Sequence, residues 1–343
     1  RPKPVRPARR PLYSAMRMLA PWFTSVKPLI APDQPVGGVL STPGHSSLAA
    51  RTIMVTTCAR ETFAQADEIL GFPLSRLCFE GPSEELTETR NAQPALLTTS
   101  IAAWRAFAGA SGRSPAWCCV AGHSLGEYSA LVAAGALEFA DAVRLTRVRG
   151  ELMARAGAAR PGSMAAILKL EDALVAALCA RAEAETHDVV QVANYNAPGQ
   201  VVVSGSADGV ARLMELAREA GGRPRTLAVS IPAHSVLMAS AADEFAHHVA
   251  ATRFEAPLGP VIGNLSACPL ESPSEIRDEL IGQLTGSVQW TGSVHKMQEM
   301  GATRFVEVGP GDVLTGLVRR IAPEAETAVL RTPEDIELAL RAL

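Results

Sequence analysis

The chain has 343 residues, 48% hydrophobic and 20% charged, with a formal net charge of −3, which suits one large globular domain, or one with a smaller companion. No uncharged apolar run reaches the ~18 residues of a membrane-spanning helix, so no span is expected. The six cysteines show no C-x-x-C spacing, so neither a zinc site nor a disulfide framework is expected, and a reducing, cytoplasmic location fits best.

Charge is uneven. Residues 1–60 hold nine Lys/Arg against the single acid Asp33, while the remainder is acidic. Residues 1–58 therefore read as an atypical basic, proline-rich segment, and four accounts stay open. It could be an organellar import signal, a nucleic-acid arm, the product of an upstream reading-frame error, or a disordered tail. Its nine prolines count against a continuous amphipathic transit helix, and nucleic acid is not expected as a partner.

From Glu61 the pattern becomes regular. Phe63, Ala66, Ile69 and Leu70 give helical spacing that ends at Gly71, a left-handed C-cap. Gln93-Pro94-Ala95 opens a second helix, Ala95 to Phe107, with proline in its first turn. Ala116 to Ala121 is a short apolar run that suits a strand buried on both faces of a parallel sheet. Helices follow from Glu127 to the Gly135 break and from Phe139 to Ala154. Residues 161–230 then read as βαββαβ, a ferredoxin-like order, inserted into an α/β body made of 59–160 and 231–343. The body resumes with a helix at His234, a strand at Gly259 to Asn264, and a last strand at Arg304 to Val308.

Gly122-His123-Ser124-Leu125-Gly126 lies between the expected buried strand and a helix, the setting of a nucleophile elbow. The two glycines would allow a tight turn, Ser124 would project from it, and the N–H of Leu125 could face a developing oxyanion. Of seven histidines, His234 is the best base, because it falls in a loop where the insert returns to the body. His187, His247, His248 and His295 read as surface residues. No Asp or Glu stands out as a third member, so a carbonyl could orient the imidazole. Arg149 sits among Leu145, Val148 and Leu152; it is either an ordinary helix arginine or a clamp for a substrate carboxylate.

These stretches, with Glu61-Thr62-Phe63, Gly81-Pro82, Gln93-Pro94-Ala95-Leu96, Val148-Arg149-Gly150, Asn194 to Val201, Pro232-Ala233-His234, Val288-Gln289-Trp290 and Glu307 to Gly311, run in order over about residues 61–343. The chain thereby resembles the malonyl-CoA:acyl-carrier-protein transacylases of fatty-acid synthesis and the acyltransferase domains of polyketide synthases. The resemblance implies an α/β-hydrolase-like parallel-sheet body and a malonyl-serine intermediate on Ser124, with His234 as base. It makes Arg149 the partner of the malonyl carboxylate and the Leu125 N–H an oxyanion donor. The Gln283 carbonyl would orient His234, and His123 and Met153 would line the acyl pocket. Malonyl-CoA would be a substrate rather than a cofactor, no cofactor would be needed, acyl carrier protein would be the partner, and a monomer is expected.

The departure lies at the front. The family's first strand leads into a loop whose glutamine supplies a second oxyanion donor; here only Pro43-Gly44-His45-Ser46-Ser47 is found, with His45 as a weak substitute. Leu125 and Ile231-Pro232-Ala233 lean toward malonyl over methylmalonyl. Arg223, Arg225 and Lys296 are candidates for carrier docking. A polyketide-type trans-acting acyltransferase, a serine esterase and an inactive family member remain as alternatives.

Overall fold

In a computed structural model of the chain, residues 48–111 and 117–341 are described. The Pro43–Ser47 loop and its His45 lie outside them. The first helix, α1 (Leu48–Leu70), begins upstream of both Glu61 and the expected boundary at residue 58. No proline or glycine interrupts it before Gly71, which caps it at φ 72° as expected. Next come α2 (Leu74–Glu80), α3 (Ser83–Thr87) and α4 (Thr89–Ser111). Pro94 is therefore inside α4 and not at its start. Proline removes the N–H that would satisfy the Arg90 carbonyl one turn back; Arg147 Nη1 donates to that carbonyl instead, at 3.3 Å.

The elbow strand is shorter than expected. Only Val120–Ala121 forms β1, and Cys118 just before it is exposed. Ala116 lies outside the described residues. After β1 come α5 (Gly126–Ala133) and α6 (Phe139–Ala159). The next elements are β2 (Ser163–Leu168), α7 (Asp172–Thr186), β3 (Val190–Ala197), β4 (Gln200–Gly205), α8 (Ala207–Glu219) and β5 (Arg223–Thr226). A 3₁₀ turn at Val236–Met238 and α9 (Ala239–Ala251) follow, so His234 precedes the helix and is not part of it. The chain ends with β6 (Val261–Ile262), β7 (Pro269–Leu270), α10 (Pro273–Gly282), α11 (Trp290–Glu299), β8 (Arg304–Val308), α12 (Val313–Ile321), β9 (Glu326–Leu330) and α13 (Pro333–Arg341).

The fold is α/β, and its parallel pairing comes in two pieces. β1 pairs parallel with β6, and β8 pairs parallel with β9 around the α12 crossover. β7, which joins β6 antiparallel, and β9 both escape a reading by apolar runs: β7 is two residues long, and β9 begins Glu326-Thr327. Because β1 has one partner strand among the described residues, its side chains are half-buried. The βαββαβ segment forms an antiparallel sheet in the order β3-β4-β2-β5, the ferredoxin-like arrangement. It has its own core, in which Ile167, Val175, Val201, Val203, Leu213 and Leu216 pack together under α7 and α8.

That small unit is bonded to the body at a seam. Tyr195 N–H donates to the Val288 carbonyl at 2.9 Å, and Val288 N–H donates to Ala193 at 2.8 Å. Gln191 on β3 spans two body loops, donating to the carbonyls of His234 at 3.3 Å and Thr285 at 3.1 Å. Register shifts along β3 between Val192 and Asn194, and between Tyr195 and Ala197, re-aim the asparagine-rich end of the strand toward the elbow.

Gly150 lets α6 approach α4. A Cβ there would sit 2.6 Å from Arg90 Cα and 2.6 Å from the Thr89 carbonyl, both backbone atoms that cannot rotate away. Gly150→Ala is expected to destabilise the fold by ~1–3 kcal/mol. By contrast Gly316, inside α12 with nothing within 4 Å of its would-be Cβ, should gain ~0.5–1 kcal/mol as alanine. Urea unfolding of the two variants checks both signs.

Candidate active site

Ser124 stands at the corner between β1 and α5 with φ 50°, in the left-handed region that β-carbon sterics disfavour for serine. The corner is held from several sides. Asn264, buried just past β6, accepts from the Ser124 N–H at 2.7 Å and donates Nδ2 to the Gly122 carbonyl at 2.7 Å. Gly126 N–H bonds the His123 carbonyl at 2.9 Å, and Glu127 N–H bonds that of Ser124 at 3.1 Å. The N–H of Leu125 donates to no acceptor among the described residues, so it is available to an oxyanion at the start of α5. The two glycines differ in kind. A Cβ on Gly122 would overlap the Gly126 carbonyl, whereas Gly126 has open space; only the first is required by close approach.

Ser124 Oγ lies 2.8 Å from His234 Nε2, and His234 Nδ1 lies 2.7 Å from the Gln283 carbonyl. A carbonyl can only accept, so Nδ1 carries the ring proton and Nε2 presents a lone pair to the serine. No carboxylate is needed to fix that tautomer. His234, itself at φ 57° and 5% exposed, has its pKa pushed down to about 3 from 6.5, by burial first and by the Arg149 cation second. Its imidazole therefore stays neutral well into acid.

Arg149 on α6 is 2% exposed, and among the described residues it makes no salt bridge. Nη1 donates to Gln93 Oε1 at 2.7 Å, and Nη2 donates to Gln283 Oε1 at 2.8 Å and to Ser124 Oγ at 3.1 Å. Its Nε has no partner, and the Tyr128 ring lies 5.8 Å from the guanidinium carbon. A buried cation held only by neutral groups is costly, and bidentate pairing with an incoming carboxylate would relieve it. Accepting from Arg149 also leaves Ser124 Oγ to donate its own proton to His234.

Of the other expected residues, His123 Nε2 bonds Asn196 Oδ1 at 2.8 Å, and its ring lies 5.5 Å from that of Trp290. Burial lowers its pKa. Met153 Sδ lies 3.5 Å from Gln93 Nε2. His187, His247, His248 and His295 are exposed. Arg223 and Arg225 are exposed on β5, while Lys296 pairs with Glu299 at 2.5 Å. Sequence reasoning gave no role to Gln93, Asn264, Gln191 or Glu127. Gln93 could have been flagged as a polar residue inside an apolar helical face. Asn264 could have been flagged as an amide at a buried strand end.

A model of the acyl transferase domain family matches residues 50–330. The malonyl CoA-acyl carrier protein transacylase of Escherichia coli K12 is 45% identical over 82% of this chain and 90% of its own length. That of Bacillus subtilis strain 168 is 46% identical over 83% and 89%. The chain belongs to the malonyl-CoA:acyl-carrier-protein transacylase family. Among solved structures, the transacylase of Coxiella burnetii superposes with a TM-score of 0.81 at 38% identity, over 86% of this chain and 92% of that one. Another transacylase, solved in complex with a type II polyketide acyl-carrier protein, gives 0.80 at 38% identity over 84% and 92%.

In this transacylase-family site the two causes of the depressed His234 pKa act in one direction, so acid inactivation through His234 should appear far below pH 6.5. Labelling of Ser124 by a fluorophosphonate, which needs no carboxylate clamp, should show no limb near that pH. Arg149→Met should raise the limb by removing the cation. The same depression means that as pH falls from 6.5 toward 3 the unfolded chain binds a proton the native state refuses, so native stability is lost over that window.

Proposed function

We propose that the chain transfers a malonyl group from malonyl-CoA to the phosphopantetheine thiol of an acyl carrier protein, through a malonyl ester on Ser124, in fatty-acid biosynthesis. One observation carries the choice of substrate: Arg149, a buried cation with no carboxylate partner, donates to the serine hydroxyl itself. An acyl group attached at Ser124 Oγ with a free carboxylate at its far end would put that carboxylate beside the guanidinium. An esterase acting on neutral esters would have no use for it.

In the first half-reaction His234 Nε2 takes the Ser124 proton as Oγ attacks the thioester carbonyl. The oxyanion forms beside the Leu125 N–H. The tetrahedral intermediate collapses, the C–S bond breaks, and coenzyme A leaves with the proton that His234 returns. In the second, His234 takes the proton of the carrier's thiol, sulfur attacks the malonyl-serine carbonyl, and Ser124 leaves reprotonated. His123, set by Asn196, and Met153, against Gln93, line the acyl side. The exposed Arg223 and Arg225 on the edge strand β5 would offer positive charge to an acidic carrier, in a chain read as a body of 59–160 and 231–343 around a 161–230 unit.

Mixing the protein with malonyl-CoA should add one malonyl group by intact mass, and Ser124→Ala should abolish the adduct. Arg149→Ala should cut malonyl loading by ~10²-fold or more while sparing acetyl loading. Absence of any adduct from the parent chain would overturn the reading.

A further inference from the structure

One buried acid beside Ser124 takes no part in the proposed transfer. Glu127, in the first turn of α5, is 0% exposed, and among the described residues it has neither a salt bridge nor any partner for its Oε1. Its Oε2 accepts from Gln283 Nε2. Burial and the neighbouring Glu279 hold its carboxyl well above the usual range. A buried acid with one satisfied oxygen is an expensive residue to keep in a core. What it touches is informative.

Gln283 is the hub between the serine and the arginine. Its backbone carbonyl holds His234, and its side-chain oxygen accepts from Arg149 Nη2 at 2.8 Å. Its amide nitrogen donates to the Ser124 carbonyl at 3.2 Å and to Glu127. An amide turned by half a revolution would aim its NH₂ at the guanidinium and its oxygen at two acceptors. The contacts with the Arg149 guanidinium and with the Ser124 carbonyl would then both be repulsive. The Ser124 carbonyl supplies one bond against that turn, at the long end of the range. The acidic group of Glu127 supplies the other.

We infer that Glu127 is a positioning residue for acyl selectivity: by accepting from Gln283 Nε2 it fixes the side-chain amide with its oxygen toward Arg149, and so aims the guanidinium at the acyl group on Ser124. It touches neither the reacting atoms nor the acyl group. The hydrogen-bonded path runs Glu127, Gln283, Arg149, Ser124 Oγ. The inference rests on the proposed malonyl transfer, because an acyl group without a carboxylate does not depend on where Arg149 points. Acetyl loading is therefore the internal control.

The test compares malonyl and acetyl loading of Ser124 in Glu127→Gln and Glu127→Met, with kcat and KM read separately for each acyl-CoA. A glutamine can present its oxygen to Gln283 Nε2, so Glu127→Gln should keep the malonyl preference within about threefold. Methionine fills the volume without an acceptor, so Glu127→Met should lose the preference by about tenfold to a hundredfold, mostly as a raised malonyl KM. Gln283→Met, which removes the group that Glu127 holds, should also lower the ratio of malonyl to acetyl loading, whatever its effect on the two rates separately. Combining it with Glu127→Met should add little, since both break one path. Gln283→Met also supplies the answer if Glu127→Met does not fold. Equal losses of malonyl and acetyl loading, an unchanged preference in the methionine variants, or failure of Glu127→Gln to retain it would overturn the inference. A parent chain that forms no malonyl adduct would instead overturn the transfer reading itself.

Discussion

A guanidinium buried to 2% exposure, with no carboxylate paired to it among the described residues, is the feature on which the rest of the site depends. Left in an apolar core such a cation would cost several kcal/mol. Here it is spread over neutral acceptors drawn from three elements: Gln93 from α4, Ser124 from the elbow and the Gln283 side chain just past α10. Each acceptor is itself anchored. Gln93 also donates to Thr89 at 2.9 Å, and Gln283 is held by the Ser124 carbonyl and Glu127. Neutral acceptors keep the charge in place without cancelling it, which leaves it unspent for a carboxylate arriving from outside.

The same charge sets the chemistry of the pair beside it. Arg149 and burial together disfavour the imidazolium form of His234, so the resting base is neutral without help from a triad acid. An aspartate at Nδ1 would raise that pKa and would also pair electrostatically with Arg149. A backbone carbonyl orients the ring equally well and adds no charge. Among the described residues His234 Nδ1 meets that carbonyl and no carboxylate, which leaves the Arg149 charge unpaired beside it.

Much of this was legible in sequence, for identifiable reasons. Ser124 was readable because the elbow is local: a strand, a tight turn and a helix follow one another within one short stretch. The βαββαβ segment was readable because its alternation of apolar runs and helical spacing is also local. What escaped is non-local or anomalous. Pro94 sits inside α4 because Arg147, from a different helix, serves the carbonyl it orphans. Asn264 clamps the elbow from across the chain, and its one local signal, an amide at a buried strand end, does not say what it holds. Gly126 was grouped with Gly122 by the motif, yet only Gly122 meets backbone at contact distance. β1 was expected to be longer and fully buried because its composition is apolar, but burial depends on partner strands.

The seam between the small sheet and the body carries a consequence for strain. Ser124 and His234 both hold positive φ, at about 1–2 kcal/mol apiece for non-glycine residues, and neither would do so unless the surroundings over-determined it. For Ser124 the restraint is Asn264. For His234 it comes from both sides: the Gln283 carbonyl grips the ring, while Gln191 of β3 donates to the His234 carbonyl and accepts from Val236 N–H at 3.0 Å. The small antiparallel sheet is thus bound to the backbone around His234 through Gln191 and to the His123 ring through Asn196. A shift of β3 would reach the His234 loop directly through Gln191, with no need for a longer chain of contacts.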